Sequence, residues 1–208
     1  MAESTRPKRA PQIPKAQATK LFIEAVIDLL ETRPIGDISD QLIADTAGIN
    51  RATIYRHFGT RFELLDAVVV ELTNQWLVLA EDIYAAPAVH GFPRLTLDFG
   101  APFLRLGAKL FGIGNYLTAA NYQSDQIREC FTKIIEIWIR LFESSGLSPR
   151  MARSIALKWL ALNLARDTAA AITNITSEDV VDILALTLAE ARNYQTTEIE
   201  LGWVSDNR

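Results

Sequence analysis

Apolar residues along this chain recur with the period of a helix in almost every segment. In the first segment they fall at three- and four-residue intervals, which predicts a helix over about residues 15–31. Long helices are also expected over about 61–84, 149–173 and 177–194. Because no segment alternates with period two, no strand is predicted. The pattern therefore predicts an all-α protein of about nine helices.

Glycine and proline interrupt the pattern in the middle of the chain. Gly100 and Pro102 fall within an amphipathic stretch, where they predict a kink. Gly112 and Gly114 are expected to separate that stretch from a further short helix. A clear amphipathic helix follows and is expected to end at Gly146.

Residues 39–65 hold two short amphipathic segments around a tight turn. Ser39 is suited to cap the first segment, because its hydroxyl can accept from a free amide of the first turn. Gly48 can take the positive φ that ends a helix in little space. Asn50 is again a capping type, so the second helix is expected to begin at Arg51. Two short helices joined by a glycine-containing turn form the helix-turn-helix pattern.

The second of these helices has an apolar inner side and a polar outer side. Ile54 and Phe58 lie four residues apart and are expected to face inward. The residues left for the outer face or its edges are Arg51, Thr53, Tyr55, Arg56 and His57. Such a surface suits a polyanion that presents hydrogen-bonding base edges. Thr60 and Glu63 then form a predicted capping box that opens the next helix.

The distribution of charge supports this interpretation more than the net charge does. The 208-residue chain has a formal net charge of −4. Residues 1–62 hold nine Lys or Arg and seven Asp or Glu, so they carry +2 and the remainder carries −6. A basic N-terminal part on an acidic body fits a part that faces DNA. Residues 1–14 are expected to be a disordered basic arm, either along DNA or as a solubilising tail.

The composition also bears on where the protein works. The single cysteine, Cys130, excludes an internal disulfide and is expected to be a small buried apolar residue. No apolar run reaches the length of a membrane span, and the N-terminus lacks the apolar core of a secretory signal. We therefore expect a cytoplasmic protein.

The sequence AGINRATIYRHFGTRFELL, residues 47–65, resembles the DNA-binding signature of the tetracycline-repressor (TetR) family of bacterial regulators. Before these residues, helix two departs from the family pattern, since Asp40 occupies a position that is usually apolar and Leu42 one that is usually polar. Arg61 and Phe62 replace a common Lys and Glu. The resemblance implies a three-helix DNA-binding domain, residues 15–62, followed by a helical ligand-binding and dimerisation domain, residues 63–208.

The DNA contacts are predicted residue by residue. Arg51 and Thr53 are expected to reach base edges, and Ala52 is small enough to allow close approach. The expected phosphate contacts are Tyr55, Arg56, His57, Arg61 and the backbone amide of Thr60. Ser39 and Asn50 complete the predicted DNA-binding set. The alternative is an ordinary helical hairpin with a solvated charged face.

The two C-terminal helices, about 149–173 and 177–194, are apolar around most of their circumference. A helix that is apolar all round must be buried on all sides. We expect these helices to pair with their copies across a two-fold axis, as the family's dimer does. The alternative is a monomer that buries both in one large core.

Aromatic residues are dense in the C-terminal part, which suits an apolar ligand pocket. The predicted lining residues are Phe103, Tyr122, Trp138, Trp159, Asn163, Arg166 and Asp167. Two alternatives remain open: the aromatic residues form an ordinary core, and Arg166 pairs with Asp167 in a polar network.

Catalysis is not expected. The two histidines, His57 and His90, have no obvious catalytic partner, and there is no glycine-rich phosphate loop or metal-spaced cluster, so neither metal nor cofactor is predicted. The sequence predicts a bacterial repressor that a small apolar effector releases from a palindromic DNA operator. A transcriptional activator and a small-molecule-binding helical dimer without DNA-binding activity are the alternatives.

Overall fold

The computed structural model describes residues 13–85, 97–144, 146–173, 189–190 and 193. Within these ranges, only the backbone is described for residues 97–101, 103–104 and 162–173. The regular elements are α1 (Lys15–Leu29), a 3₁₀ turn (Ile35–Asp37), α2 (Asp40–Ala47), α3 (Ala52–Phe58), α4 (Arg61–Ala85), α5 (Leu97–Ala119), α6 (Asp125–Ser144) and α7 (Pro149–Thr173). Every regular element in this part of the chain is helical, so the all-α prediction is confirmed there.

The predicted number of helices is not confirmed. Seven α-helices fall in the ranges given above. The expected helix over about 177–194 lies almost entirely outside the described residues, as does most of the predicted arm over residues 1–14.

The expected division of α5 at Gly112 and Gly114 is wrong, because one helix runs from Leu97 to Ala119. Leu110, Phe111, Ile113 and Leu117 are buried along this stretch. Each glycine in a helix interior costs about 1 kcal/mol relative to alanine. Burial of this apolar face outweighs the cost of two such glycines.

The chain forms two compact units, Met1–Val68 and Val69–Arg208, and the division falls within α4. In the first unit, α1 packs against α2 and α3. Its fully buried side chains include Phe22, Val26, Ile43, Ile54 and Leu64. The ring of Phe58 meets that of Phe22 edge-on, with the centroids 6.2 Å apart. This core fixes the direction in which α3 faces outward.

The second unit is built around α6, which packs against α7, and α5 packs against α7 as well. The Ser124 hydroxyl caps α6 by accepting from the amide of Ile127 at 3.3 Å. The predicted end of the helix at Gly146 is confirmed, since Gly146 has a φ of 92° and follows α6. The buried face of α6 consists of Cys130, Ile134, Ile137, Trp138, Leu141 and Phe142.

Trp138 is the centre of an aromatic cluster in this unit. Its ring centroid lies 5.9 Å from that of Trp76, 5.4 Å from that of Phe142 and 5.6 Å from that of Trp159. Nearby, the Tyr84 hydroxyl donates to the carbonyl of Ile137, and burial raises the pKa of Tyr84 to about 12. Among the described helices, none combines the length and hydropathy that a membrane span requires.

Candidate nucleic-acid interface

Helix α2 has a defined start and end. The amide of Leu42 donates to the Ser39 hydroxyl at 3.2 Å, so the predicted N-cap is confirmed. Gly48 adopts a φ of 65°, as predicted. Its amide donates to Asp45 and that of Ile49 donates back to Ala44, at 3.2 and 3.0 Å. These two bonds form a Schellman motif, which reverses the chain within a few residues and lets α3 begin at Ala52.

Asn50 caps α3, as predicted. Its side-chain oxygen accepts from the amide of Ala52 at 2.8 Å. The helix is assigned from Ala52, one residue after the predicted start, although Arg51 already has helical dihedral angles. Because the Asn50 oxygen is used in the cap, the structure gives Asn50 a part in shaping the turn.

The outer side of α3 carries exposed cationic and aromatic groups. Arg51, Ala52, Tyr55 and Arg56 are exposed, and Tyr55 keeps 41% of its surface accessible. Ile54, by contrast, is completely buried. The predicted inner and outer sides of the helix are therefore confirmed at these positions.

Thr53 is a correction to the predicted outer face. It is only 7% exposed, and its hydroxyl accepts a hydrogen bond from Nη2 of Arg56 at 2.9 Å. One turn of helix brings Arg56 back over Thr53, so the hydroxyl supports the guanidinium. Its predicted contact with a base edge stays a prediction.

Arg51 and Tyr55 form a pair on the exposed side. The guanidinium carbon lies 5.9 Å from the centre of the Tyr55 ring, and Nη2 is 3.5 Å from the hydroxyl, at the limit of a hydrogen bond. The hydrogen bond and the Tyr55 charge, followed by the charge of Asp40, raise the pKa of Arg51 above its usual value. Arg51 therefore stays cationic at any physiological pH.

Asp40, in the first turn of α2, joins α3 to the first turn of α4. The Tyr55 hydroxyl donates to one carboxylate oxygen, and Nη1 of Arg61 lies 2.5 Å from the other. The side chains of Asp40 and Arg61 are only 13% and 18% exposed. Burial by itself raises the pKa of Asp40, but the Tyr55 and Arg61 hydrogen bonds and the Arg61 and Arg51 charges outweigh it and lower that pKa.

Arg61 also donates to the protein backbone. Its Nη2 lies 2.6 Å from the carbonyl oxygen of Ile38 and 3.2 Å from that of Ile35. Arg61 thus ties the 3₁₀ turn and α2 to α4 inside the first unit. The predicted contact of Arg61 with a phosphate stays a prediction. Its guanidinium already donates to the Asp40 carboxylate and to two carbonyl oxygens. The sequence signal for this cluster was a carboxylate at a position where an apolar residue is usual.

His57 is half-buried at the end of α3. Burial, followed by the charges of Arg56 and Lys15, lowers its pKa below the ordinary value. The imidazole is therefore neutral near pH 7. Its predicted phosphate contact then depends on a neutral N–H donor, or on proton uptake when an anion approaches.

The predicted capping box at the start of α4 is confirmed. The amide of Glu63 donates to the Thr60 hydroxyl at 3.2 Å, and the amide of Thr60 donates to the Glu63 carboxylate at 2.8 Å. A phosphate at the Thr60 amide would have to displace that carboxylate.

The predicted pocket residues are only partly described. Trp138 and Trp159 are buried in the aromatic cluster, and Tyr122 is half-buried after the end of α5. The side chains of Phe103, Asn163, Arg166 and Asp167 lie outside the described set. The rings of Trp138 and Trp159 are in contact. An ordinary aromatic core would show the same contact as the wall of a ligand pocket, so the two interpretations both remain open. The described residues contain no group of His, Cys, Asp and Glu suited to a metal ion.

Solved structures share the fold at low sequence identity. A TetR transcriptional regulator from Legionella pneumophila is 17% identical with a TM-score of 0.62, over 82% of this chain and 94% of that one. A TetR-like transcriptional regulator from Rhodococcus sp. RHA1 is 18% identical with a TM-score of 0.52, over 85% and 96%. A tetR-family transcriptional regulator from Streptomyces coelicolor is 16% identical with a TM-score of 0.53, over 86% and 83%.

The sequence match to a known protein family falls on the residues that form the candidate interface. No curated protein sequence matches the chain. Residues 18–68, which run from α1 into α4, match the model of the bacterial regulatory proteins, tetR family. This match covers the Schellman turn, the exposed side of α3 and the capping box. Residues 18–68 are accordingly identified as a helix-turn-helix DNA-binding domain of the bacterial regulatory proteins, tetR family.

Proposed function

We propose that this regulator is a repressor that binds a palindromic operator as a homodimer and is released by a small apolar effector. The supporting observation is that Arg51, Tyr55 and Arg56 share the exposed side of α3 while Ile54 is buried beneath them. A seven-residue helix with this division of sides can enter a major groove without exposing its apolar residues.

Arg51 is assigned to a base edge and Arg56 to a phosphate. A guanidinium can bond both O6 and N7 of a guanine, which makes arginine the commonest specific reader of the major groove. Arg56 uses Nη2 on Thr53, which leaves other donors of its fork for a phosphate oxygen. His57, beside Arg56, is assigned to the same backbone.

Residues 15–62 are assigned to DNA binding and residues 63–208 to regulation and dimerisation. The dimer is assigned to helices about 149–173 and 177–194. In support, Leu157 on α7 keeps 44% of its surface exposed in the single chain, although its neighbour Ala156 is completely buried. Two copies of α3 related by a two-fold axis would meet half-sites about 34–36 Å apart, or somewhat displaced from that.

The effector is assigned to the aromatic part of the second unit. Rings around Trp138 offer the apolar surface that small-molecule sites use. An effector shifts the population away from the DNA-binding arrangement only if it binds the other arrangement more tightly.

Selection of bound sites from random duplex DNA tests the DNA assignment. The expected result is an inverted repeat whose half-sites lie about one helical turn apart. Arg51→Ala should flatten the preference at one position of each half-site. Failure to enrich any sequence would contradict the operator proposal, and a monomer in light scattering with and without DNA would contradict the dimer.

A reporter gene separates repression from activation. With the selected site placed at its promoter, a repressor lowers expression and an activator raises it. The effector is tested by following tryptophan emission during titration with apolar compounds, because Trp76, Trp138 and Trp159 lie in one cluster. A compound that changes the emission should also release the DNA.

A further inference from the structure

The carboxylate of Asp40 binds two side chains that the sequence assigns to phosphates. Tyr55 donates its hydroxyl to one oxygen, and Arg61 donates Nη1 to the other at 2.5 Å. The second amino group of Arg61 is directed at the Ile38 and Ile35 carbonyl oxygens. The two donors therefore meet an internal anion instead of solvent.

Hydrogen-bond stoichiometry makes this arrangement restrictive. A tyrosine hydroxyl has one proton, and a phosphate diester accepts but does not donate. Tyr55 thus cannot donate to a phosphate while it donates to Asp40. Moving Tyr55 and Arg61 to DNA would leave a carboxylate that is 13% exposed without its partners, which is costly for a charged group.

Resting on the DNA-binding role proposed above, we propose that Asp40 is a positioning residue that withholds Tyr55 and Arg61 from the DNA backbone and so lowers the affinity for DNA of any sequence. Sequence-independent affinity comes from phosphate contacts, whereas discrimination depends on base contacts. A protein that removes two phosphate donors weakens its binding to all DNA by about the same factor. Asp40 thereby lowers the sequence-independent part of the affinity and leaves discrimination to base contacts such as the one assigned to Arg51.

The charge of Asp40 acts in the same direction. The carboxylate lies between α2 and α3, next to the exposed pair of Arg51 and Tyr55, and its field lowers the attraction of that surface for a polyanion. The lowered pKa keeps Asp40 ionised at physiological pH, so the effect persists there.

The test uses the full chain and a fluorescent duplex of mixed sequence without the selected site. Asp40→Ala should strengthen binding to this duplex roughly three- to tenfold and steepen the salt slope by about one, because the freed Arg61 cation displaces counterions and the neutral Tyr55 hydroxyl displaces none. Affinity for the selected operator should rise by about the same factor, because a phosphate contact carries no sequence information. The matched control is Asp45→Ala, which removes the same charge from an exposed site on α2 bonded to Gln41.

A gain with Asp40→Ala that Asp45→Ala reproduces would mean a general charge effect and would overturn the proposal. An unchanged or weaker affinity of a folded Asp40→Ala protein for mixed DNA would overturn it as well. Thermal unfolding monitored by circular dichroism verifies that each variant is folded.

Tyr55→Phe gives an answer even if Asp40→Ala fails to fold. Removal of the hydroxyl from the natural protein should leave its affinity for mixed DNA unchanged. In the Asp40→Ala background, the same removal should reverse part of the gain in affinity. A severalfold loss of affinity for mixed DNA on Tyr55→Phe alone would show that the hydroxyl binds phosphate despite Asp40, against the proposal. If the natural protein binds neither the selected operator nor the mixed duplex, the proposed DNA-binding function fails as well. If the natural protein binds DNA but the variants do not show the expected changes in affinity, only the role of Asp40 fails.

Discussion

The guanidinium of Arg51 lies over the ring of Tyr55, with its central carbon 5.9 Å from the ring centre. Both side chains are exposed, and Tyr55 is held in turn by Asp40 on the neighbouring helix. An exposed arginine ordinarily loses considerable side-chain entropy when it is fixed against a base. The ring restricts Arg51 in the free protein, so the proposed contact with a base would cost less side-chain entropy.

Arg51→Ala should cost about 1–3 kcal/mol on the selected operator and relax the preference at one base position, as expected for a base-reading arginine. Competition binding with operators mutated one base pair at a time measures both effects. Arg56→Ala is the comparison, because a phosphate contact should weaken all sequences alike. Equal losses on every sequence for both variants would contradict the division of roles.

Arg61→Ala should lower the free energy of unfolding by about 2–3 kcal/mol, because it leaves the Asp40 carboxylate and two carbonyl groups short of a donor. Its salt slope on mixed DNA should stay unchanged. Urea unfolding and salt titrations measure the two quantities. Arg33→Ala, at an exposed site, should change stability by no more than about 0.5 kcal/mol. A stable Arg61→Ala protein with a shallower salt slope would instead support a phosphate contact.

Gly48→Ala should destabilise the protein by about 1–2 kcal/mol, because a Cβ is unfavourable at a φ of 65°. Apart from the glycine and its two chain neighbours, no heavy atom lies within 4 Å of the position that the Cβ would occupy, so the cost comes from the backbone alone. Gly36→Ala is a matched control, since that site is equally open and has no positive φ. Urea denaturation of the two variants should separate them. Equal effects would show that the backbone conformation at Gly48 contributes nothing.

Trp138→Ala should destabilise the protein by about 3–5 kcal/mol, because it empties the centre of the aromatic cluster. Chemical denaturation followed by far-ultraviolet circular dichroism gives the change. Thr132→Ala on the exposed side of the same helix should be close to neutral. A small loss at Trp138 would mean that the cluster is loosely packed, and would favour a cavity there over a tight core.

His57 should give stability and DNA affinity opposite dependences on pH. Its pKa in the folded protein is below the ordinary 6.5, through burial and the charges of Arg56 and Lys15. As pH falls through 6.5, the unfolded chain takes up the proton first, so stability decreases. A phosphate contact favours the imidazolium, so DNA affinity should increase over the same interval. His57→Gln should remove both dependences and His90→Gln neither; an affinity that is flat with pH in the natural protein would argue against the phosphate contact.

The parts of the interface that the sequence predicted correctly depend on local interactions. Ser39, Gly48 and the Thr60–Glu63 box each act within a few residues of chain, and their residue types express that role directly. The apolar period also predicted the burial of Ile54, because a helix places it one turn from Phe58.

The errors and omissions have a tertiary origin. Thr53 is covered because Arg56 folds back onto it, and no period in the sequence records that bond. Asp40 and Arg61 are 21 residues apart and meet only after three helices have packed. The continuity of α5 through its glycines likewise depends on the burial of residues such as Leu110 and Ile113.

The rate at which Cys130 reacts with a thiol reagent can report how often the second unit opens. Cys130 is the chain's single cysteine, and it lies buried on the face of α6 that includes Trp138. A thiol reagent can modify it only when that face opens, so the labelling rate measures how often the unit opens under native conditions. An effector that binds the closed unit would slow the labelling, with no need for an introduced probe.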